Sequence, residues 1–250
     1  MRALLLALAL ASNSLAAEPP AAAPEPLKVA VAANFRQTLE QLADQWVEES
    51  GSSLQISSAS TGVLYSQAVF GAPFDLLLAA DSERPRKLVE AGHAMADSLT
   101  TYAYGVLVLA YRDNLAEAAA QGIEPLLAGP GLSVAIANPE LAPYGRAAAE
   151  VLDRHSLDAS SRLLTATNVS QAFQMWRSGG ADLALVAASY RPVPSTPIPA
   201  SWYSPIAQQA VILGHASGSK AARSFLTFLT SEAARSIIEA DGYLTAVADD

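Results

Sequence analysis

The feature that most constrains the fold of this chain is a junction. Residues 27–32 are a run of six residues, mostly small or branched and apolar, which stops at Ala33-Asn34. From there Phe35, Leu39, Leu42 and Trp46 recur at steps of four, three and four. A short Val/Ala-rich run suits a parallel strand buried on both faces, and the spacing that follows is one apolar stripe of a helix. The same alternation returns along the chain. Residues 54–58, 74–80, 133–137, 162–166, 183–187 and 206–213 read as strands. Residues 63–70, 81–91, 146–155 and 167–178 read as helices, and two more surround Phe225, Phe228, Leu229, Ile237 and Ile238. Alternation of this kind predicts βαβ units, so the fold class is α/β, with mostly parallel sheets flanked by helices. Residues 102–111 read as one longer apolar strand, after which the pattern restarts. The four prolines within 191–199 predict an irregular loop.

Before this domain lie one positive charge, Arg2, an apolar run over 3–11 and small residues ending Ser14-Leu15-Ala16. Residues 1–16 therefore read as a secretory signal peptide cleaved after Ala16, with Ala17 as the alternative. The run is too short to span a bilayer. Residues 17–26, rich in Pro and Ala, read as a disordered leader. These segments predict an exported, soluble, periplasmic protein. The chain has no cysteine, which excludes a disulfide scaffold and a lipid anchor on an N-terminal Cys. The formal charge of -9 becomes -10 without Arg2, an acidic balance that argues against a nucleic-acid partner. It also means that an anion would have to be held by local, aligned donors, because the overall field repels it.

Three strand-to-helix junctions offer such donors: Ala33-Asn34, the stretch Ser58-Ala59-Ser60-Thr61-Gly62, and Asn168-Val169-Ser170. Each places small or neutral polar residues at a helix start, where backbone amides and the helix dipole favour an anion. For the Asn34 stretch alone a plain N-cap is the favoured reading, and the case for an anion comes from the recurrence. Ligands of open α/β sheets gather outside the carboxyl ends of the strands, so these junctions can converge. A site of donors without an acidic acceptor would prefer a fully deprotonated oxyanion to monoprotonated phosphate.

Catalytic constellations are sparse. Ser217-Gly218-Ser219-Lys220 fits an S-x-x-K pattern, but no Ser-Asp-Asn or Lys-Thr-Gly partner accompanies it, and no G-x-S-x-G elbow is present. His93, His155 and His215 lack metal-ligand spacing. The reading is of a binder and not an enzyme, with no cofactor and no cation site; a periplasmic serine hydrolase using Ser217 and Lys220 is the enzyme-class alternative.

An ordered set of short motifs resembles the periplasmic molybdate-binding proteins of ABC importers. It comprises Val31-Ala32-Ala33-Asn34-Phe35, Ser58-Ala59-Ser60-Thr61-Gly62, Gly71-Ala72-Pro73-Phe74-Asp75, Ala79-Ala80-Asp81, Asn138-Pro139-Glu140 with Ala142-Pro143-Tyr144-Gly145, and Gly242-Tyr243. The resemblance implies a type II periplasmic binding protein of two α/β lobes joined by two crossings, residues 102–111 outward and 202–213 back. Lobe 1 would comprise 27–104 and 209–250, and lobe 2 residues 105–208. It implies molybdate or tungstate held between the lobes by Ala33, Asn34, Ser60, Thr61, Tyr144 and the backbone of Val169. A monomer that closes on the anion and docks on a membrane permease is implied as well. Sulfate, phosphate or an organic anion remain as other cargoes. Two departures matter: Ala33 stands where some relatives carry a hydroxyl residue, and Ala187 where some carry a tyrosine.

Overall fold

The computed structural model describes residues 25–128, 131–154 and 163–245. The expected signal peptide, most of the leader, His155 and Arg162 lie outside these. Strand β1 (Leu27–Ala32) passes through a single 3-10 turn, Ala33–Phe35, into helix α1 (Arg36–Ser50). The expected strand-to-helix junction is there, with one tight turn inside it. Strand β2 (Leu54–Ala59) leads into α2 (Thr61–Val69), and β3 (Leu76–Ala79) into α3 (Glu83–Glu90). The chain then crosses through β4 (Thr100–Gly105) and β5 (Leu107–Tyr111).

In the next part, α4 (Ala116–Ala119) and α5 (Ile123–Ala128) precede β6 (Val134–Ala137) and α6 (Pro143–Arg154). Strand β7 (Leu163–Ala166), α7 (Val169–Arg177), β8 (Leu183–Ala187) and β9 (Ser195–Pro197) follow. Strand β10 (Ile206–Ile212), α8 (Lys220–Leu229) and α9 (Glu232–Ala240) end the described chain.

Two five-stranded sheets result, ordered β2-β1-β3-β10-β4 and β7-β6-β8-β5-β9. In each, three strands are mutually parallel, as the alternation predicts. Strand β10 runs antiparallel to its neighbours β3 and β4, and β5 to its neighbours β8 and β9, so both sheets are mixed.

The apolar runs are continuous because both faces of the first sheet are covered. Val29, Val31, Leu76, Leu78 and Ile212 pack with Phe35, Leu39, Leu42 and Trp46 of the first junction and with Phe225, Phe228, Leu229 and Ile238 of α8 and α9. Their neighbours Ala30, Leu77, Ala79 and Val211 face Leu64 of α2 and Leu88 of α3. The stripe read from the sequence is thus the core face of α1, with Trp46 edge-on to Phe225 at 5.4 Å. Each such side chain contributes about 1.5–3 kcal/mol by burial. The C-terminal helices return to the first sheet, as the pattern of two crossings requires.

Three expectations are corrected. Residues 102–111 are two strands in two sheets, parted at Val106, because β4 pairs with β10 while β5 pairs with β8. The proline-rich stretch contains a strand after all: β9 pairs with β5 at the sheet edge, where a residue without an N–H is tolerated. Helix α6 begins at Pro143 and not at Arg146. Proline at the first helical position loses no hydrogen bond, so Tyr144 and Gly145 belong to the first turn and not to a loop.

Candidate functional site

One small cavity of about 10 Å³ lies where the carboxyl ends of both sheets' strands face each other. It is lined by Ala32, Ala33 and Asn34 after β1, Ser60 and Thr61 after β2, Ala80 after β3, Ala142, Pro143 and Tyr144 after β6, and Asn168 and Val169 after β7. All six residues singled out in the sequence therefore meet there, from junctions up to 136 positions apart, Ala33 to Val169. No lining residue is charged. The starts of α2, α6 and α7 and the 3-10 turn converge on this space, and the first amides of a helix have no intrahelical acceptor.

The side chains divide into those already engaged and those that are not. Thr61 Oγ1 accepts the Ala80 N–H at 3.0 Å, which leaves its own proton to donate elsewhere. Ser60 stands at the N-cap of α2 yet makes no capping bond; its hydroxyl is buried and has no partner among the described residues. The Tyr144 hydroxyl is likewise buried and unpartnered. Burial pushes that phenol well above its ordinary value, so it stays protonated as a neutral donor. Asn168 caps α7, its Oδ1 accepting the Gln171 N–H at 3.0 Å, so Val169 can reach the cavity only by its backbone or its methyls.

Asn34 does not act as the cap that its place at the junction suggested. The turn is capped by Ala32 without a side-chain bond. The Asn34 carboxamide is turned inward, where Nδ2 donates to Gln208 Oε1 at 3.0 Å and to the Tyr243 hydroxyl at 3.1 Å. Tyr243 in turn donates to the Asn34 carbonyl at 2.8 Å. Both side-chain protons of Asn34 are thereby committed within the protein. At Gly145 a Cβ would stand 2.3 Å from the Ala137 carbonyl oxygen, so only glycine lets the first turn of α6 lie against the end of β6 and carry Tyr144 to the cavity.

Groups from the two sheets clasp each other around this space. Gly62 N–H donates to the Leu141 carbonyl at 2.8 Å, and Arg84 Nη2 to the Glu140 carbonyl at 2.8 Å. Arg146 pairs with Glu83 at 3.1 Å. On the other side, Ser189 and Tyr190 donate to the Asn34 and Ala33 carbonyls at 3.2 and 3.0 Å. Arg191 reaches the Ala240 carbonyl at 2.6 Å and Asp241 at 2.9 Å. Tyr190 thus supplies a hydroxyl three positions after Ala187, toward Ala33 itself.

Sequence reasoning missed Gln208 and Tyr243 as partners of Asn34. The signal for the first was present: a glutamine in the otherwise buried run of β10, fully shielded from solvent, must have hydrogen-bond partners inside. Ser217 lies exposed before α8 and Lys220 exposed at its first position, neither lines the cavity, and the intervening Ser219 accepts the Ala222 N–H as the helix cap.

Two mixed sheets meeting at a closed, uncharged, donor-lined cavity define a two-lobed binding protein of the type II periplasmic fold. Over residues 27–244 the chain matches the bacterial extracellular solute-binding proteins, and it belongs to that family. It is 36% identical over 232 residues to the molybdate-binding protein ModA of Rhodobacter capsulatus, covering 90% of each chain. With the molybdate-binding protein ModA of Azotobacter vinelandii it shares 37% identity over 231 residues, 87% of this chain and 89% of that one. The solved periplasmic molybdate-binding protein of Azotobacter vinelandii superposes with a TM-score of 0.81 at 38% identity, over 88% of this chain and 99% of that chain. A sulfate-binding protein of Mycobacterium tuberculosis shares the fold at a TM-score of 0.68 and 14% identity, over 87% of this chain and 86% of that chain.

Proposed function

We propose that this protein is the substrate-binding component of an ABC importer and takes molybdate between its two lobes. The observation that carries the reading is the pair of buried hydroxyls, Ser60 and Tyr144, that have no protein partner and belong to the lining of one uncharged cavity. An unpaired buried hydroxyl costs about 1–3 kcal/mol, and an oxyanion seated between them would relieve both. Thr61 Oγ, the amides at the starts of α2 and α7, and the turn amides of Ala33 and Asn34 complete the donor set. Asn34 serves through its backbone, since its side chain holds Gln208 and Tyr243. With no carboxylate in the lining, a fully deprotonated tetrahedral ion meets no repulsion and needs no acceptor. The likeness to the two molybdate-binding proteins supports molybdate as the cargo, and tungstate, of the same charge and shape, would bind alike.

Lobe 1 would be built on the first sheet, 27–104 with 209–250, and lobe 2 on the second, 105–208. The clasps between the sheets support a hinge that closes on the anion, which shifts the population toward the closed form. A membrane permease would read that form. The protein would work as a periplasmic monomer.

Thermal unfolding of the mature protein with molybdate, tungstate, sulfate and phosphate tests the reading. A ligand at 100 times its dissociation constant adds about 2.7 kcal/mol, roughly 5–10 °C for a chain of this size. Shifts with molybdate and tungstate alone are expected. A larger shift with sulfate or phosphate would reassign the cargo, and none with any oxyanion would refute the function.

A further inference from the structure

Two unpaired polar atoms meet at the point where the chain leaves the first sheet. Gln208, on β10, is fully buried. Its Oε1 accepts from Asn34 Nδ2, and this sets the orientation of the amide, because the flipped form would put two N–H donors face to face. Gln208 Nε2 then points away from Asn34 and has no partner among the described residues; nor has the Tyr144 hydroxyl. Both atoms converge on Gly105, the last residue of β4. A Cβ built there would lie 2.2 Å from the Tyr144 hydroxyl oxygen, 2.8 Å from its Cζ and 2.9 Å from Gln208 Nε2. The φ of Gly105 lies outside the left-handed region, so what demands glycine is the approach of the phenol and not the backbone.

We propose that Gly105 and Gln208 form a socket that positions the Tyr144 hydroxyl for the anion. The bare Cα of Gly105 admits the phenol at the crossing. Gln208 Nε2 donates to the phenol oxygen in the loaded protein, and this turns the phenol's single proton toward the ligand. Gln208 is thus a positioning residue with Asn34 of the first sheet's side at one end and Tyr144 of the second sheet's side at the other. The selection of the anion's donors is thereby tied to the crossing between the lobes. The inference rests on the reading of Tyr144 as an anion donor.

A double-mutant cycle on the full mature protein tests it, with sodium molybdate as the titrant in calorimetry. Gly105→Ala is expected to weaken binding about tenfold or more, and Gln208→Met about fivefold or more. In a Tyr144→Phe background, which has no hydroxyl to position, Gln208→Met should cost less than about threefold, because groups that act through one another are not additive; the Cβ of Gly105→Ala would still meet the ring Cζ at 2.8 Å there, so the cycle is read on Gln208. A general loss of packing would not vanish in that background. Wild-type affinity in both single variants, or a Gln208→Met loss undiminished beside Tyr144→Phe, would overturn the socket. Wild-type affinity of Tyr144→Phe itself would instead remove Tyr144 from the site. If Gly105→Ala does not fold, the Gln208→Met arm decides.

Discussion

Ser60→Ala separates a ligand donor from a structural cap. A serine at a helix N-cap ordinarily holds one of the first amides, and its loss to alanine costs about 1 kcal/mol of stability. Ser60 holds none, and its Oγ is buried without a partner. Removing it deletes an unsatisfied polar atom, so the anion-free protein should melt at the wild-type temperature or slightly above it. The bound state responds in the opposite direction. A hydrogen bond to a charged group is worth about 1.5–3 kcal/mol, which converts to roughly 10- to 150-fold weaker binding. Calorimetric titration with molybdate gives the second quantity and a thermal melt without anion the first. A lowered melting temperature with undiminished affinity would show that Ser60 serves the helix, and the assignment of the cavity would fail.

Thr61→Val should behave differently, because Thr61 Oγ1 also holds the Ala80 amide. It should lower both affinity and the anion-free melting temperature, the latter by about 2–10 °C for one buried N–H left unpaired. Arg191→Met removes a clasp between the sheets whose arginine side chain is 65% exposed, so solvent screening limits the effect. Affinity for molybdate should fall up to about fivefold, read as faster release in stopped-flow displacement. Burial raises the phenols of Tyr102, Tyr144, Tyr190 and Tyr243 above their ordinary value of 10. Their contribution to stability is complete below the unfolded value and declines as pH rises from about 10 toward the folded values. Melting temperature should fall steeply above pH 10, while anion affinity holds between about pH 8 and 9.5; a loss of affinity there would mean that a donor ionises early.

Much of this architecture was legible along the chain. The apolar runs of β1, β3 and β8 and the stripe from Phe35 to Trp46 report burial on a scale of two to four residues, and the structure buries those residues. The errors fell where pairing overrides local signals. Residues 102–111 read as one strand because nothing local marks a change of sheet at Val106. Residues 191–199 read as a loop because their prolines say nothing of a free edge beside β5. Pro143 marked the start of α6, and the helical reading began three residues late. At the site, the junction residues can be chosen from their chemistry, yet nothing local tells that the Asn34 side chain, a candidate ligand or cap by its place, turns to partners 174 and 209 positions away.

Most of the strands and helices, and the neutral donors at three of the junctions between them, can be read from the chain alone; the change of sheet at Val106 and strand β9 cannot. Periodicity and helix-end chemistry are properties of neighbouring residues, so they are written locally. That the junctions of two sheets face one another across one cavity is a matter of tertiary structure. It also decided that Asn34 spends its side chain on Gln208 and Tyr243, and that Ser60 and Tyr144 are left without partners. Those facts depend on strand order, register and the two crossings, which set distances between residues far apart in the chain and therefore decide which polar groups are already satisfied when a ligand arrives.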